Sequence, residues 1–280
     1  MTHHHVPARP AWLVASVAVG VFVLVDLYGS GPSWRLVEAT GAARGSWARV
    51  GAIALLHWLP MILAPLAASA ALFGPSGALA ALGLRRAPLP GLALAVVLTA
   101  PLAITYALTT PLRTDEAVSR DLVHYALLGG AAEEVLYRAF LFGLLFRFAR
   151  WGFLPAALLG AVIFGAGHLS QGNTPAEAAG VFAITFVGGL WFAWLYAEWR
   201  DAWVPIGLHI AMNAWFNLFA VSETALLPWA GEVARAAVVI GSVLVTVRVA
   251  RRRGGRVVRG RAWLRGGPVA IGAEAATSPP

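Results

Sequence analysis

The feature that most constrains this chain is a succession of apolar stretches, each close to the roughly 20 residues that a helix needs to cross the hydrocarbon layer of a bilayer. They run near Ala11 to Tyr28, Val50 to Phe73, Leu89 to Leu112, Leu122 to Phe146, Phe153 to Leu169, Ala176 to Trp199, Trp203 to Val221 and Val233 to Val249. In lipid a segment must satisfy its own backbone hydrogen bonds, so such stretches are helical. They predict an all-α, polytopic transmembrane bundle of about eight spans, or seven if the first does not cross. The composition agrees: 59% of the 280 residues are hydrophobic and 12% charged, more apolar surface than one soluble core of this length buries.

The chain has no cysteine, which removes disulfides, thiolate metal sites and cysteine nucleophiles. Its net charge of +8 comes largely from a run of arginines after the last apolar stretch, Arg248, Arg251, Arg252, Arg253, Arg256, Arg259, Arg261 and Arg265. A basic flank in that position reads as a cytoplasmic segment attracted to anionic lipid. Nucleic acid is not expected as a partner, because no aromatic platform or recognition motif accompanies the arginines. The triplet His3, His4 and His5 lies in a short polar leader and is assigned no function.

Arg85 and Arg86, Arg147 and Arg150, Arg200 and the C-terminal run fall in alternate connections, which the positive-inside rule places in the cytoplasm. Both termini are then cytoplasmic. Arg35, Arg44 and Arg49 in the first connection conflict with this orientation. The first stretch reads as a retained helix, since no cleavage-type boundary follows it. A lysine-free chain rich in alanine and arginine suggests a high-GC bacterium, hence a multi-pass protein of a bacterial plasma membrane.

Ionisable groups inside such spans are costly and are functional candidates by default. In the fourth stretch Glu133 and Glu134 are adjacent and Arg138 follows. Glu134 and Arg138, at i and i+4, share a helix face, while Glu133 is turned about 100° away. One carboxylate can be neutralised by arginine while its neighbour faces elsewhere. The fifth stretch ends with Phe164 and His168 one turn apart, and the seventh carries His209 and Asn213, again at i and i+4. Each pair alone reads equally as hydrogen-bonded helix packing. Asp26 and His57 lack partners at helical spacing and read as packing polars. Glycines and Pro205 interrupt the spans around these residues, where broken backbone would line a cavity.

Taken in order, Glu-Glu-x-x-x-Arg, Phe-x-x-x-His and His-x-x-x-Asn on successive apolar segments resemble the CPBP family, also called Abi or type II CAAX-protease-like membrane proteins. The likeness covers about Leu122 to Phe219. It implies an N-terminal set of helices without family signal (1–121), a catalytic membrane domain (122–221), a final transmembrane helix (222–250) and a basic cytoplasmic tail expected to be disordered (251–280). It further implies an intramembrane endopeptidase acting on a membrane-anchored peptide or protein. Glu133 would be the general base on water, His168 would share that water, and His209 with Asn213 would stabilise the oxyanion. Glu134, Arg138 and Phe164 would support them. The family has been described both as metalloproteases and as metal-free glutamate proteases, so a zinc ion on His168, His209 and Glu133 stays open beside no cofactor at all.

The chemistry read from the residues agrees. Amide hydrolysis needs a base poised near neutrality, which a partly desolvated glutamate provides, and donors aimed at a developing oxyanion. Two other classes compete: a non-catalytic immunity or scaffold protein using the same polar network for packing, and a proton-coupled transporter using the carboxylates as a relay.

Overall fold

The structure, a computed structural model, describes residues 8–222 and 224–266. The histidine triplet and the tail from residue 267 lie outside the described residues. Ten helices follow one another: α1 (Ala11–Tyr28), α2 (Ser30–Ala39), α3 (Trp47–Phe73), α4 (Pro75–Ala81), α5 (Pro88–Thr109), α6 (residues 117–147), α7 (Phe153–Gly167), α8 (Pro175–Trp199), α9 (Trp203–Leu218) and α10 (Trp229–Arg252). Among the described residues there is no sheet, only isolated bridges at Leu112–Phe219 and Trp151–Arg265. The protein is an all-α helical bundle, as its apolar stretches predict.

Helices α1, α3, α5, α8 and α10, and α7 with the tight turn after it, are long and apolar enough to cross a membrane. The two other expected segments are helical but different in kind. Helix α6 has its apolar run broken by Glu133, Glu134 and Arg138, and α9 is only 16 residues long. These are the two helices that carry most of the polar motif residues.

The amphipathic α2 and the short α4 are not anticipated by apolar length. In α2, Glu38 pairs with Arg49 at 2.5 Å, so one of the arginines in conflict with the expected orientation is neutralised in place. The loops carrying the other arginine groups meet at one end of the bundle. Arg147 donates to the carbonyl of Ala81, Arg86 lies 3.8 Å from Asp201, and Trp151 bridges to Arg265. At the opposite end the α5–α6 loop is tied to the end of α9. Arg113 donates through its backbone to Leu218 and through its guanidinium to the carbonyl of Asn217, and it also pairs with Asp115 and Asp121. The same guanidinium holds the Asp115 carboxyl below the usual carboxylate range.

Helix α9 sits between α5 and α6, and glycines set how closely. A Cβ on Gly207 would lie 2.9 Å from Cβ of Ala95 and 3.2 Å from the carbonyl oxygen of Gly91 on α5. A Cβ on Gly130 of α6 would lie 3.2 Å from the backbone nitrogen of Ile210. Both contacts flank His209 in the chain or in space, so its position depends on missing side chains.

The tail departs from expectation. Its described part, residues 251–266, is folded against the bundle. Helix α10 ends at Gly254 and Gly255, with φ of 92° and 116°, angles that glycine adopts without strain. The chain then doubles back across the ends of α7 and α8. The buried carboxylate of Glu198 accepts from the backbone N–H of Val257 and of Val258 at 2.9 and 3.0 Å. A paired backbone and a fully buried Val258 give this segment the contacts that its composition alone does not announce.

Replacing Gly207 by valine should force α9 off α5 and lower stability by about 1–3 kcal/mol, the usual cost of overpacking. Gly188→Ala, where a Cβ would meet nothing within 4 Å, should be neutral or slightly stabilising. Thermal unfolding of both variants in detergent against the wild type checks the contrast.

Candidate active site

The site grows from α6. Residues Glu134–Phe142 are wound as wide π-type turns, a local geometry often found at functional sites. Glu134 and Arg138 still meet, Nη1 to Oε1 at 3.0 Å, with side chains 0% and 3% exposed. The guanidinium is also packed against aromatic faces, 4.3 Å above Phe164 and 5.5 Å from Phe192. Phe164 comes from α7 and Phe192 from α8, so one buried cation gathers three helices. Close approach of α7 and α8 is possible because Gly189 has no side chain: a Cβ there would lie 3.0 Å from Cβ of Ala161 and 3.6 Å from Nη2 of Arg138.

His209 reaches the same carboxylate from α9. Its Nδ1 lies 2.7 Å from Oε1 of Glu134. A carboxylate can only accept, so Nδ1 carries the proton and Nε2 is left pointing the other way. Nε2 stands 3.6 Å from Oε2 of Glu133, beyond a direct hydrogen bond, so that the two groups border the same point of the site. Glu133, with 20% of its side chain exposed, faces a more open region than its neighbour. The two glutamates are therefore divided as their helical spacing predicts: Glu134 is buried and fixed, and Glu133 is accessible. Arg138 holds Glu134, not Glu133.

His168 caps α7. Its Nδ1 donates to the carbonyl of Phe164 at 2.7 Å, and its ring lies 4.4 Å from that of Phe164. Nε2 remains for other partners. Phe164 is thus the hub between His168, His209 at 6.4 Å and Arg138. Asn213 is not drawn into this cluster. Its Nδ2 donates to the backbone carbonyl of Tyr125 at 3.2 Å, tying α9 to α6 one turn from His209.

Asp26, read from the sequence as a packing polar, belongs beside the site. It accepts from the hydroxyl of Tyr137 at 2.8 Å, and Tyr137 packs edge-on to Phe164 at 5.2 Å and to Phe22 of α1 at 5.0 Å. A signal existed: Tyr137 is four residues after Glu133 and so on the same face. His57 is engaged separately, its Nδ1 2.8 Å from Oγ of Ser33 and its ring tilted against Trp34 and edge-on to Trp58.

Among the described residues no group of three or more His, Asp or Glu side chains is placed to hold a metal ion. His209 presents Nδ1 to Glu134 and Nε2 to Glu133.

Fold and site together define an integral membrane protein of helical-bundle type with a buried glutamate–arginine–histidine cluster at its centre. A family model described as Type II CAAX prenyl endopeptidase Rce1-like matches residues 117–215, the run from the start of α6 into α9 that supplies the three motifs. That segment is similar to the Rce1-like family. A Bacillus subtilis (strain 168) protein named "Putative membrane peptidase YdiL" is 33% identical over 98 residues, which are 35% of this chain and 36% of that protein. The match thus spans about a third of that relative. No solved structure matches.

Removing the cation should be far worse than removing the pair. Arg138→Met leaves Glu134 buried without its ion partner and should cost about 3–5 kcal/mol. The double variant Arg138→Met with Glu134→Gln should cost less than the sum of the two single changes, a coupling readable in a double-mutant cycle of thermal unfolding.

Proposed function

We propose that the chain is an intramembrane endopeptidase that hydrolyses a peptide bond of a membrane-anchored peptide or protein with water activated by Glu133. One observation carries this reading: of two adjacent carboxylates, one is locked in a buried ion pair and the other is left accessible beside a histidine that the first one orients. Packing alone would not need the second. The likeness of the 117–215 segment to the Rce1-like family and the peptidase name of the relative support the reaction class.

In this mechanism Glu133 takes a proton from a water lying beside it and His209, and the resulting hydroxide attacks the carbonyl carbon. Glu134 anchors Nδ1 of His209, which turns Nε2 toward the reacting water; a ring that carries a proton on Nε2 as well would offer that N–H to the carbonyl oxygen as negative charge builds there. Glu133 then returns the proton to the leaving nitrogen. His168, held by the Phe164 carbonyl, offers Nε2 to the same water. Asn213 acts through position, since its bond to Tyr125 fixes the depth of α9. No step is routed through a metal, and the arginine-rich end of the bundle faces the cytoplasm.

Glu133→Gln should fold normally and lose cleavage by roughly 100- to 10,000-fold, the usual share of a general base. The test compares membranes carrying wild type and Glu133→Gln by proteomics, together with thermal unfolding of both purified proteins. Accumulation of the same uncleaved membrane-anchored peptide with unchanged stability supports the proposal. A variant that unfolds, with no peptide changed, means that Glu133 is a packing residue of a non-catalytic protein.

A further inference from the structure

The folded tail carries a second, independent site. Between residues 251 and 266 there are seven arginines and no acidic residue, and Arg251, Arg252, Arg256, Arg259, Arg261 and Arg265 are all exposed. The carboxylate that approaches the segment, Glu198, is buried and bound to two backbone N–H groups. It therefore fastens the segment through its backbone.

The height of the strap is also fixed. Its Trp263 packs edge-on against Phe153, the first residue of α7, at 5.2 Å. The Gly266 N–H donates to the carbonyl of Arg150, and the backbone at Leu264 lies so close to Gly152 that a Cβ there would clash. The guanidinium of Arg253 rests 5.3 Å from the ring of Trp199, the last residue of α8. All of these anchors are helix termini, which in a spanning bundle stand at headgroup level. Leu264 is 70% exposed beside the partly exposed Trp263, a pairing of tryptophan and aliphatic surface with arginine that suits the boundary between headgroups and acyl chains.

We propose that residues 253–266 are an interfacial strap, latched to the bundle by Glu198, whose exposed arginine face binds the anionic phospholipid headgroups of the surrounding leaflet. The latch makes this different from a charged tail in solution. A strap held at one height meets phosphates without first being ordered, so binding and folding of the segment reinforce each other. The site would select for negative headgroups and release them as salt rises.

The experiment uses the full chain in nanodiscs of phosphatidylcholine, with or without phosphatidylglycerol, and reads amide hydrogen exchange across Arg253–Gly266. Exchange at Val257 and Val258 should slow by about tenfold in the anionic discs and recover at high salt. The triple change Arg256→Gln, Arg259→Gln and Arg261→Gln should abolish the lipid effect while keeping the exchange seen in neutral discs. Glu198→Gln should speed exchange in neutral discs, reporting the latch directly. Equal exchange in the two discs overturns the proposal, as does an effect of phosphatidylglycerol that survives the triple change. Equal protection by soluble glycerol phosphate in neutral discs overturns the leaflet as the source of the phosphate.

Discussion

The carboxylate of Glu134 is the point through which the centre of this bundle is connected. It receives Arg138 from its own helix and His209 from α9, in a place where none of its side chain reaches solvent. Burying a carboxyl group there without partners would be costly. Two partners offset that cost, and each is thereby fixed. Arg138 then recruits Phe164 and Phe192 by stacking, and His209 is turned so that its free nitrogen faces Glu133. The depth of α9, the approach of α7 to α8 and the isolation of Glu133 all follow from that one buried charge.

Backbone geometry and polar chemistry coincide in this bundle. The wide π-type stretches among the described residues are Val23–Tyr28, Ala54–Trp58, Leu122–Gly129 and Glu134–Phe142. Each contains at least one ionisable side chain: Asp26, His57, His124, and Glu134 with Arg138. An inserted residue redirects the face that a side chain occupies, and in a helix otherwise committed to lipid that is a way to turn a polar group inward.

Local relations in this site were readable before any coordinates. That Glu134 and Arg138 share a face, that Glu133 does not, and that Phe164 stands over His168 all follow from helical spacing. The pairing of His209 with Glu134 was not readable, because straight helices of equal length put the two at different depths. What resolves the difference is a short α9 pressed between α5 and α6 through Gly207 and Gly130, a contact between residues far apart in the chain. Asp26 escaped for the same reason: its partner Tyr137 lies on a helix 111 residues away. The order of the tail depends on Glu198, a residue whose spacing from Val257 announces nothing.

The length of α9 has a consequence for how deeply Glu133 lies below the ends of the bundle. Sixteen residues rise roughly 24 Å, against about 30 Å of hydrocarbon. One wall of the site therefore stops short of the acyl layer it stands in, and the shortfall falls to the loops at either end, where polar groups line the gap. The shortfall lies on the helix that carries His209, the histidine bordering Glu133.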